Sequence, residues 1–97
     1  MMKNMILMAA LVLTLPAHAA DINQGRSLYA TYCTVCHGQS GEGVLPGTPN
    51  FRQSGRLLRP DAVLVESIRT GRAAMPGFRG VLTDAQLLDV VAFLRTF

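Results

Sequence analysis

The sequence lacks the features that identify several large classes of protein. Its longest apolar run, the eleven residues from Met5 to Leu15, is too short to cross a bilayer core of about 30 Å. The net charge is +3 for the whole sequence and +2 for residues 20–97, which have eight arginines and six acidic residues, and so small a charge argues against a nucleic-acid-binding protein. An apolar content of 49% excludes intrinsic disorder and a collagen-like repeat. The sequence therefore indicates one small globular domain.

The first nineteen residues have the pattern of a secretory signal peptide. Lys3 supplies the positive charge, Met5 to Leu15 is the apolar segment, and Ala17-His18-Ala19 is a small-residue cleavage site. We expect residues 1–19 to be cleaved off and residues 20–97 to function as a soluble exported domain. The alternative is an uncleaved anchor helix, and the shortness of the apolar run argues against it.

Few chemically reactive side chains remain in the domain of residues 20–97. It has one histidine, His37, one methionine, Met75, and two cysteines, Cys33 and Cys36, with eight arginines and no lysine. A domain of about 78 residues is near the lower limit for a self-sufficient core, so we expect a crosslink or a bound group to stabilise it. A disulfide between the two cysteines would close too small a loop to restrict the unfolded chain.

Hydrophobic periodicity predicts three helices and one long irregular segment, with neither strands nor repeats. The first helix is capped by Asp21 and runs to about Tyr32, and the second runs from Asp61 to Thr70. The third runs from Asp84 to about Thr96, while residues 38–59 are rich in glycine and proline and form the loop. A loop of this length in so small a domain is uncommon unless it wraps around a ligand. The predicted fold is all-α.

Gly25 lies inside the first predicted helix, where glycine costs about 1 kcal/mol relative to alanine. A close helix crossing would account for it, with Phe93 or Leu94 of the last helix lying over the glycine. The alternative is a glycine that the helix merely tolerates. The last helix itself begins with the spacing of a capping box, formed by Thr83 and Gln86.

The residues Cys33-Thr34-Val35-Cys36-His37 form the C-x-x-C-H signature of covalent haem attachment. Positions i, i+3 and i+4 share one helix face, so both sulfurs can reach the vinyl groups of one porphyrin while His37 points at the iron. Three other interpretations are weaker. A zinc site lacks its usual four ligands, a thioredoxin-like pair lacks a βαβ unit, and a disulfide leaves the adjacent histidine unexplained.

Met75 is the candidate for the second axial ligand of the haem iron. It is the only methionine in residues 20–97. Pro76 biases Met75 toward an extended backbone, so its thioether can project from a loop into the interior. The alternative is a methionine that fills a gap in the core.

The sequence resembles the small class I cytochromes c of the bacterial periplasm over nearly all of residues 21–97. The matching residues are Gly25 and Tyr29, Cys33 to Gly38, Thr48-Pro49-Asn50-Phe51, Met75-Pro76 with Phe78, and Phe93-Leu94. The resemblance implies the class I cytochrome c fold, in which three main helices and a long loop surround one haem c. It also implies that the carbonyl of Pro49, or of Pro46, accepts a hydrogen bond from Nδ1 of His37. One departure is the absence of lysine, because some members of the family dock through rings of lysines.

These residues predict a periplasmic electron carrier and not an enzyme. His37 and Met75 would fill both axial positions, so electrons would pass through the haem edge and no substrate would bind the iron. One alternative is an electron-transfer subunit dedicated to a periplasmic oxidoreductase. Another is an open-iron haem peroxidase or gas-binding protein, although the domain has no second histidine to serve it. We expect periplasmic redox proteins as electron donor and acceptor.

Overall fold

The computed structural model describes residues 3–11 and 19–97. Residues 3–11 form no helix or strand and are exposed. Ala17 and His18 of the predicted cleavage site lie outside the described residues. In the two ranges that are described, no helix is both long enough and apolar enough to cross a membrane.

The described residues form four α-helices and one short 3₁₀ helix. They are α1 (Ile22–Tyr32), α2 (Thr34–His37), the 3₁₀ helix Arg56–Leu58, α3 (Asp61–Thr70) and α4 (Asp84–Leu94). The three predicted helices are confirmed as α1, α3 and α4, although α4 ends at Leu94 rather than near Thr96. Residues 19–97 contain no β-strand, only an isolated bridge between Arg72 and Met75, so the predicted all-α fold is confirmed as well.

Polar side chains cap the N-termini of α1 and α4. The carboxylate of Asp21 accepts hydrogen bonds from the N–H groups of Asn23 and Gln24 at 2.9 and 3.1 Å. Thr83 and Gln86 form the predicted capping box, in which each side chain accepts from the backbone N–H of the other, at 3.2 and 2.9 Å. These bonds satisfy N–H groups that have no partner inside the helix.

The hydrophobic core lies where α1 and α3 pack against α4. Its buried members are Leu28, Tyr29, Val65, Ile68, Phe78, Leu82, Leu87, Val90, Val91, Phe93 and Leu94. Six half-buried side chains pack against this core, namely Cys33, Phe51, Leu57, Leu64, Met75 and Phe97. The second group includes one cysteine of the predicted haem motif and the predicted methionine ligand, so the core supports both ends of the candidate site.

Helices α1 and α4 cross closely at Gly25. A Cβ atom at Gly25 would lie 2.0 Å from the carbonyl oxygen of Asp89 and 3.0 Å from Cβ of Phe93. The N–H of Asp21 also donates across the crossing to the carboxylate of Asp89, at 2.8 Å. The predicted crossing at Gly25 is therefore confirmed, and Phe93 rather than Leu94 lies against the glycine.

Arg95, which follows α4, holds the end of the long loop. Its guanidinium donates to the carbonyl oxygens of Leu57 and Arg59, the second at 2.8 Å, and forms an ion pair of 2.6 Å with Asp61. Asp61 is the first residue of α3. The 3₁₀ helix and the start of α3 are thereby fastened to the end of α4.

Candidate functional site

The cysteine and histidine motif lies on a short helix of its own, α2, which follows Cys33 and was not among the three helices predicted from the sequence. Cys33, with φ −115° and ψ −27°, ends α1 by donating its N–H to the carbonyl of Tyr29 at 2.9 Å. The carbonyl of Cys33 then accepts from the N–H of His37 at 2.9 Å and so begins α2. Cys33 and Cys36 are half-buried free thiols. The structure therefore does not contain the disulfide that was one alternative for this pair.

Burial shifts the pKa values of Cys33 and His37 in the motif. It raises the pKa of the Cys33 thiol to about 11, and the neighbouring Cys36 adds to this shift. It lowers the pKa of His37 below its usual value of 6.5. Both shifts favour the uncharged forms, because a charge loses its hydration when the group is buried. At neutral pH Cys33 is therefore a thiol and His37 a neutral imidazole, and the neutral imidazole is the form of histidine that binds metal.

The imidazole of His37 is buried and incompletely bonded. The residue is 9% exposed, and Nδ1 has no hydrogen-bond partner among the described residues. The hydrogen bond expected from Nδ1 to the carbonyl of Pro49 or Pro46 is therefore not formed. The carbonyl of Pro49 instead lies against the backbone of Gly43, 3.1 Å from where a Cβ of that glycine would stand. Pro46 is exposed.

The loop after the motif folds back over α2 by backbone hydrogen bonds. The N–H of Gly43 donates to the carbonyl of His37 at 2.8 Å, and the N–H of Val44 donates to that of Cys36 at 2.9 Å. The buried hydroxyl of Tyr29, on α1, donates to the carbonyl of Gly38 at 2.5 Å. These bonds satisfy carbonyl groups at the end of α2, which a helix leaves without partners.

A chain of aromatic contacts begins at His37 on the side of this loop. The ring of Phe51 stacks on the imidazole, with centroids 4.7 Å apart and planes 16° from parallel. Phe97 stacks in turn on Phe51 at 6.4 Å and 10°. Tyr29 and Phe93 each meet Phe97 at a steep angle, at 5.3 and 5.2 Å. Sequence reasoning missed this contact, since the aromatic residues are far apart in the chain and have no shared spacing.

Met75 lies at the end of a tight turn. Arg72 and Met75 exchange two backbone hydrogen bonds of 2.9 and 3.1 Å across Ala73 and Ala74. Ala73 has a φ of +53°, the left-handed region that costs an alanine about 1–2 kcal/mol. Met75 is half-buried and packs against the core.

Two glycines close the base of the Met75 turn. A Cβ at Gly71 would lie 2.6 Å from the N of Gly77 and 2.7 Å from the carbonyl oxygen of Met75. A Cβ at Gly77 would lie 2.8 Å from the carbonyl oxygen of Thr70. Only residues without a side chain allow the chain segments before and after the turn to come this close. After the turn, the N–H of Phe78 donates to the carbonyl of Ile68 in α3 at 3.1 Å.

One aromatic contact connects the Met75 turn to the cysteine motif. Tyr32, directly before Cys33, meets Phe78 edge to face with centroids 5.8 Å apart. Cys33 and Met75 also pack against the same core. The structure therefore brings together the two regions that the sequence predicted to supply ligands. No group of three or more His, Cys, Asp and Glu side chains in the described part of the chain is arranged to hold a metal ion by itself.

Comparison with known proteins gives a consistent set of relatives. The model of a family described as cytochrome C oxidase, cbb3-type, subunit III, matches residues 20–94. A cytochrome c6 of Thermosynechococcus vestitus (strain NIES-2133 / IAM M-273 / BP-1) is 33% identical over 85 residues, which cover 84% of this chain and 75% of the relative. The cbb3-type cytochrome c oxidase subunit CcoP of Azospirillum sp. (strain B510) is 33% identical over 95 residues. These cover 87% of this chain but only 32% of the subunit.

Solved structures show the same architecture. The cytochrome c6 of the diatom Phaeodactylum tricornutum superposes with a TM-score of 0.67 at 23% identity, over 79% of this chain and 93% of that chain. A protein described as KustC0563 c-type cytochrome superposes with a TM-score of 0.69 at 26% identity, over 75% of this chain and 95% of that chain. The fold predicted from the sequence, that of a class I cytochrome c, is therefore confirmed.

Proposed function

The chain belongs to the cytochrome c family described as cytochrome C oxidase, cbb3-type, subunit III, and it is a small electron-carrier cytochrome with one covalently attached haem c. We propose that Cys33 and Cys36 form the thioether bonds to this haem. His37 and Met75 are the two axial ligands of the iron. The protein carries single electrons between redox proteins of the periplasm and catalyses no reaction of its own.

The residues of the motif fit a covalently held haem. Two free thiols lie on α2 and at its start, and the neutral imidazole of His37 follows directly. The observation that carries the proposal is this imidazole, which is 9% exposed, has a pKa lowered by burial and directly follows the two thiols. A neutral imidazole is the form of histidine that binds metal, and iron ligation would give this buried ring a role.

Met75 fits the second axial position for two reasons. Its thioether sulfur is a neutral donor, and ligation by methionine together with histidine raises the reduction potential of a c-type haem. Its turn is fixed by the bonds to Arg72 and by the close approach of Gly71 and Gly77. A ligand on a short, closed turn keeps its position with little freedom to swing away.

The haem supplies the one-electron chemistry, and the residues of the chain determine how it is used. With His37 and Met75 both bound, the iron would have no open position for a substrate. The core against which Cys33 and Met75 pack would shield a bound haem from water there. These roles are those of an electron carrier, in which the protein contributes burial, axial ligands and rigidity.

The charges of the domain favour weakly charged redox partners. Residues 20–97 have eight arginines and six acidic residues, and two haem propionates bring the net charge near zero. Long-range electrostatic steering of a partner is then weak. The acidic side chains are also engaged within the domain, as in the ion pairs of Arg69 with Glu66 and Asp84 and of Arg95 with Asp61.

We also propose that residues 1–19 are an export signal that is cleaved to release residues 20–97 into the periplasm. The family match begins at residue 20, directly after the small-residue motif that ends at Ala19. Mass spectrometry of the protein isolated from periplasm tests this. A mass that corresponds to residues 20–97 plus one haem supports the proposal, and a mass that includes residues 1–19 contradicts it.

Replacement of Met75 tests the ligand set. Reduced wild-type protein is expected to bind carbon monoxide slowly, because the gas must first displace the methionine sulfur. Met75→Ala and Met75→Leu should both bind it rapidly and have a lower reduction potential. The leucine variant is the matched control, since it keeps the volume of the side chain and removes only the sulfur. Rapid binding by the wild type, at a rate unchanged in both variants, would show that Met75 is not a ligand and would favour a gas-binding protein.

A second candidate is an electron-transfer subunit of a larger oxidase. The match to subunit III and to CcoP favours it, although this chain covers only 32% of the CcoP relative. Three exposed apolar side chains near the motif, Val35, Val44 and Leu45, offer a contact surface. Size-exclusion chromatography of a periplasmic extract, followed by haem absorbance, separates the two candidates. A carrier elutes near the mass of the monomer, and a subunit elutes with its complex.

A further inference from the structure

We propose that Arg69 is a positioning residue for Met75, because its side chain connects the two ends of the loop that carries this methionine. The proposal rests on the proposed function, since it takes Met75 as an axial ligand. This loop, residues 71–83, joins α3 to α4 and is called the Met75 loop below. Near the end of α3, the guanidinium of Arg69 forms an ion pair of 2.7 Å with Asp84, the first residue of α4. It also pairs with Glu66, one turn earlier in α3.

The backbone of Arg69 holds the Met75 loop at a second point. Its carbonyl accepts a hydrogen bond from the N–H of Arg79 at 3.1 Å, next to the bond of equal length from Phe78 to Ile68. Phe78 is buried in the core, so this part of the loop lies against α3. Arg69 therefore contacts the second half of the loop through its backbone and the end of the loop through its side chain.

The turn at Met75 depends on contacts of this kind to keep its place. Its two backbone bonds join Arg72 and Met75 to each other, so they close the turn without tying it to a helix. A large displacement of Met75 thus requires the whole turn to move. Ala73 in the turn has a φ of +53°, and a residue strained in this way persists only where the surrounding structure holds it. The ion pair of Arg69 with Asp84 is such a restraint.

The exposure of the ion pair sets the size of the expected effect. The side chain of Arg69 is 23% exposed and that of Asp84 is 79% exposed. Ion pairs near the surface contribute modestly, and salt screens them. We therefore expect loss of the pair to raise the population of the open Met75 loop about two- to fivefold.

Two measurements on the reduced holoprotein test the proposal. Hydrogen exchange of the Arg79 N–H reports opening of the loop whether or not Met75 binds the iron. The rate of carbon monoxide binding reports release of Met75. Asp84→Asn and Arg69→Met should each raise both rates about two- to fivefold. The double variant should gain less than the product of the two single effects, because the shared ion pair is lost only once.

Asp61→Asn is the matched control. Asp61 is also the first residue of a helix and also pairs with an arginine, Arg95, but it lies outside the Met75 loop. Its loss should leave both rates at their wild-type values. Raising potassium chloride from about 10 mM to about 1 M should increase both rates in the wild type, because salt screens the ion pair, and should have a smaller effect on Asp84→Asn.

The possible results separate this proposal from the proposed function. Faster exchange and faster carbon monoxide binding in both single variants, with Asp61→Asn unchanged, support the positioning role. Unchanged exchange of Arg79 in both single variants would overturn it. Faster exchange with unchanged gas binding would overturn it as well, if Met75→Leu binds the gas rapidly. If Met75→Leu also leaves gas binding unchanged, Met75 is not a ligand, and the proposed ligand set is overturned together with the positioning role.

Discussion

Gly25→Ala measures the free energy lost when a methyl group is added to the close contact between α1 and α4. By helix propensity alone, alanine should stabilise α1 by about 1 kcal/mol relative to glycine. The new Cβ, however, would stand 2.0 Å from the carbonyl oxygen of Asp89, whereas carbon atoms at an optimal contact are about 3.5–4.0 Å apart. The helices must separate by more than about 1 Å to relieve this overlap.

The overlap should outweigh the gain in propensity. Overpacking in a core costs about 1–3 kcal/mol, and the obstacle here is backbone, which cannot swing aside as a side chain does. We take the upper end of that range, about 3 kcal/mol, and subtract about 1 kcal/mol for propensity. The expected loss is then about 2 kcal/mol, which lowers the Tm by about 8–16 °C in a domain of this size.

Thermal denaturation of the ferric holoprotein, followed by far-UV circular dichroism, measures this loss. Ala30→Gly is the matched control, because Ala30 is exposed on the same helix and makes the reverse exchange at a site without crowding. It should lose only the propensity difference, about 1 kcal/mol. A Tm for Gly25→Ala equal to or above that of the wild type would refute the argument, because propensity would then exceed the cost of contact.

Three further changes have expected outcomes. Ala73→Gly should raise the Tm. Glycine relieves about 1–2 kcal/mol of strain at this left-handed position, which exceeds the about 0.4–1 kcal/mol lost because the unfolded chain becomes more flexible. Ala74→Gly, at a position without a positive φ, should lower the Tm. Tyr29→Phe should cost about 1 kcal/mol or more at neutral pH, because the buried carbonyl of Gly38 loses its donor. Burial also raises the pKa of Tyr29 from 10.0 to about 12, so the wild type should lose stability relative to Tyr29→Phe as the pH rises through that range in a denaturant titration. Replacing either cysteine of the motif by alanine should prevent stable holoprotein from accumulating, and wild-type stability in the double variant would contradict the role of haem as the crosslink of this small domain.

Local signals in the sequence predicted the helices well because their causes are local. The caps at Asp21 and Thr83 and the glycine after Thr70 each act within one helical turn, and all three bounds were found in the structure. Gly25 was informative for a different reason. A glycine inside a helix is unfavourable by itself, so its presence indicated a contact with another element.

The features that sequence reasoning missed depend on contacts between distant residues or on backbone angles that residue type does not reveal. The short helix α2 was missed because its four residues are too few to show a hydrophobic period. The turn before Met75 places an alanine at a φ of +53°, where glycine is the residue that sequence rules expect. The stack of Phe51 on His37 joins residues fourteen positions apart through a loop without periodicity.

The crossing of α1 and α4 also has a consequence for the order in which the chain folds. Gly25 and Phe93 touch although 67 residues separate them, and closing a flexible loop of that length costs about 4 kcal/mol in chain entropy. Contacts between elements so distant in sequence raise the contact order and slow folding. Before α4 docks, the buried face of α1 has no partner, while Cys33 and α2 are held by hydrogen bonds to residues at most nine positions away. The thiols are thus expected to stay fully accessible to a haem-attaching system until the last helix docks, and core formation should then cover them in part, in a single cooperative step.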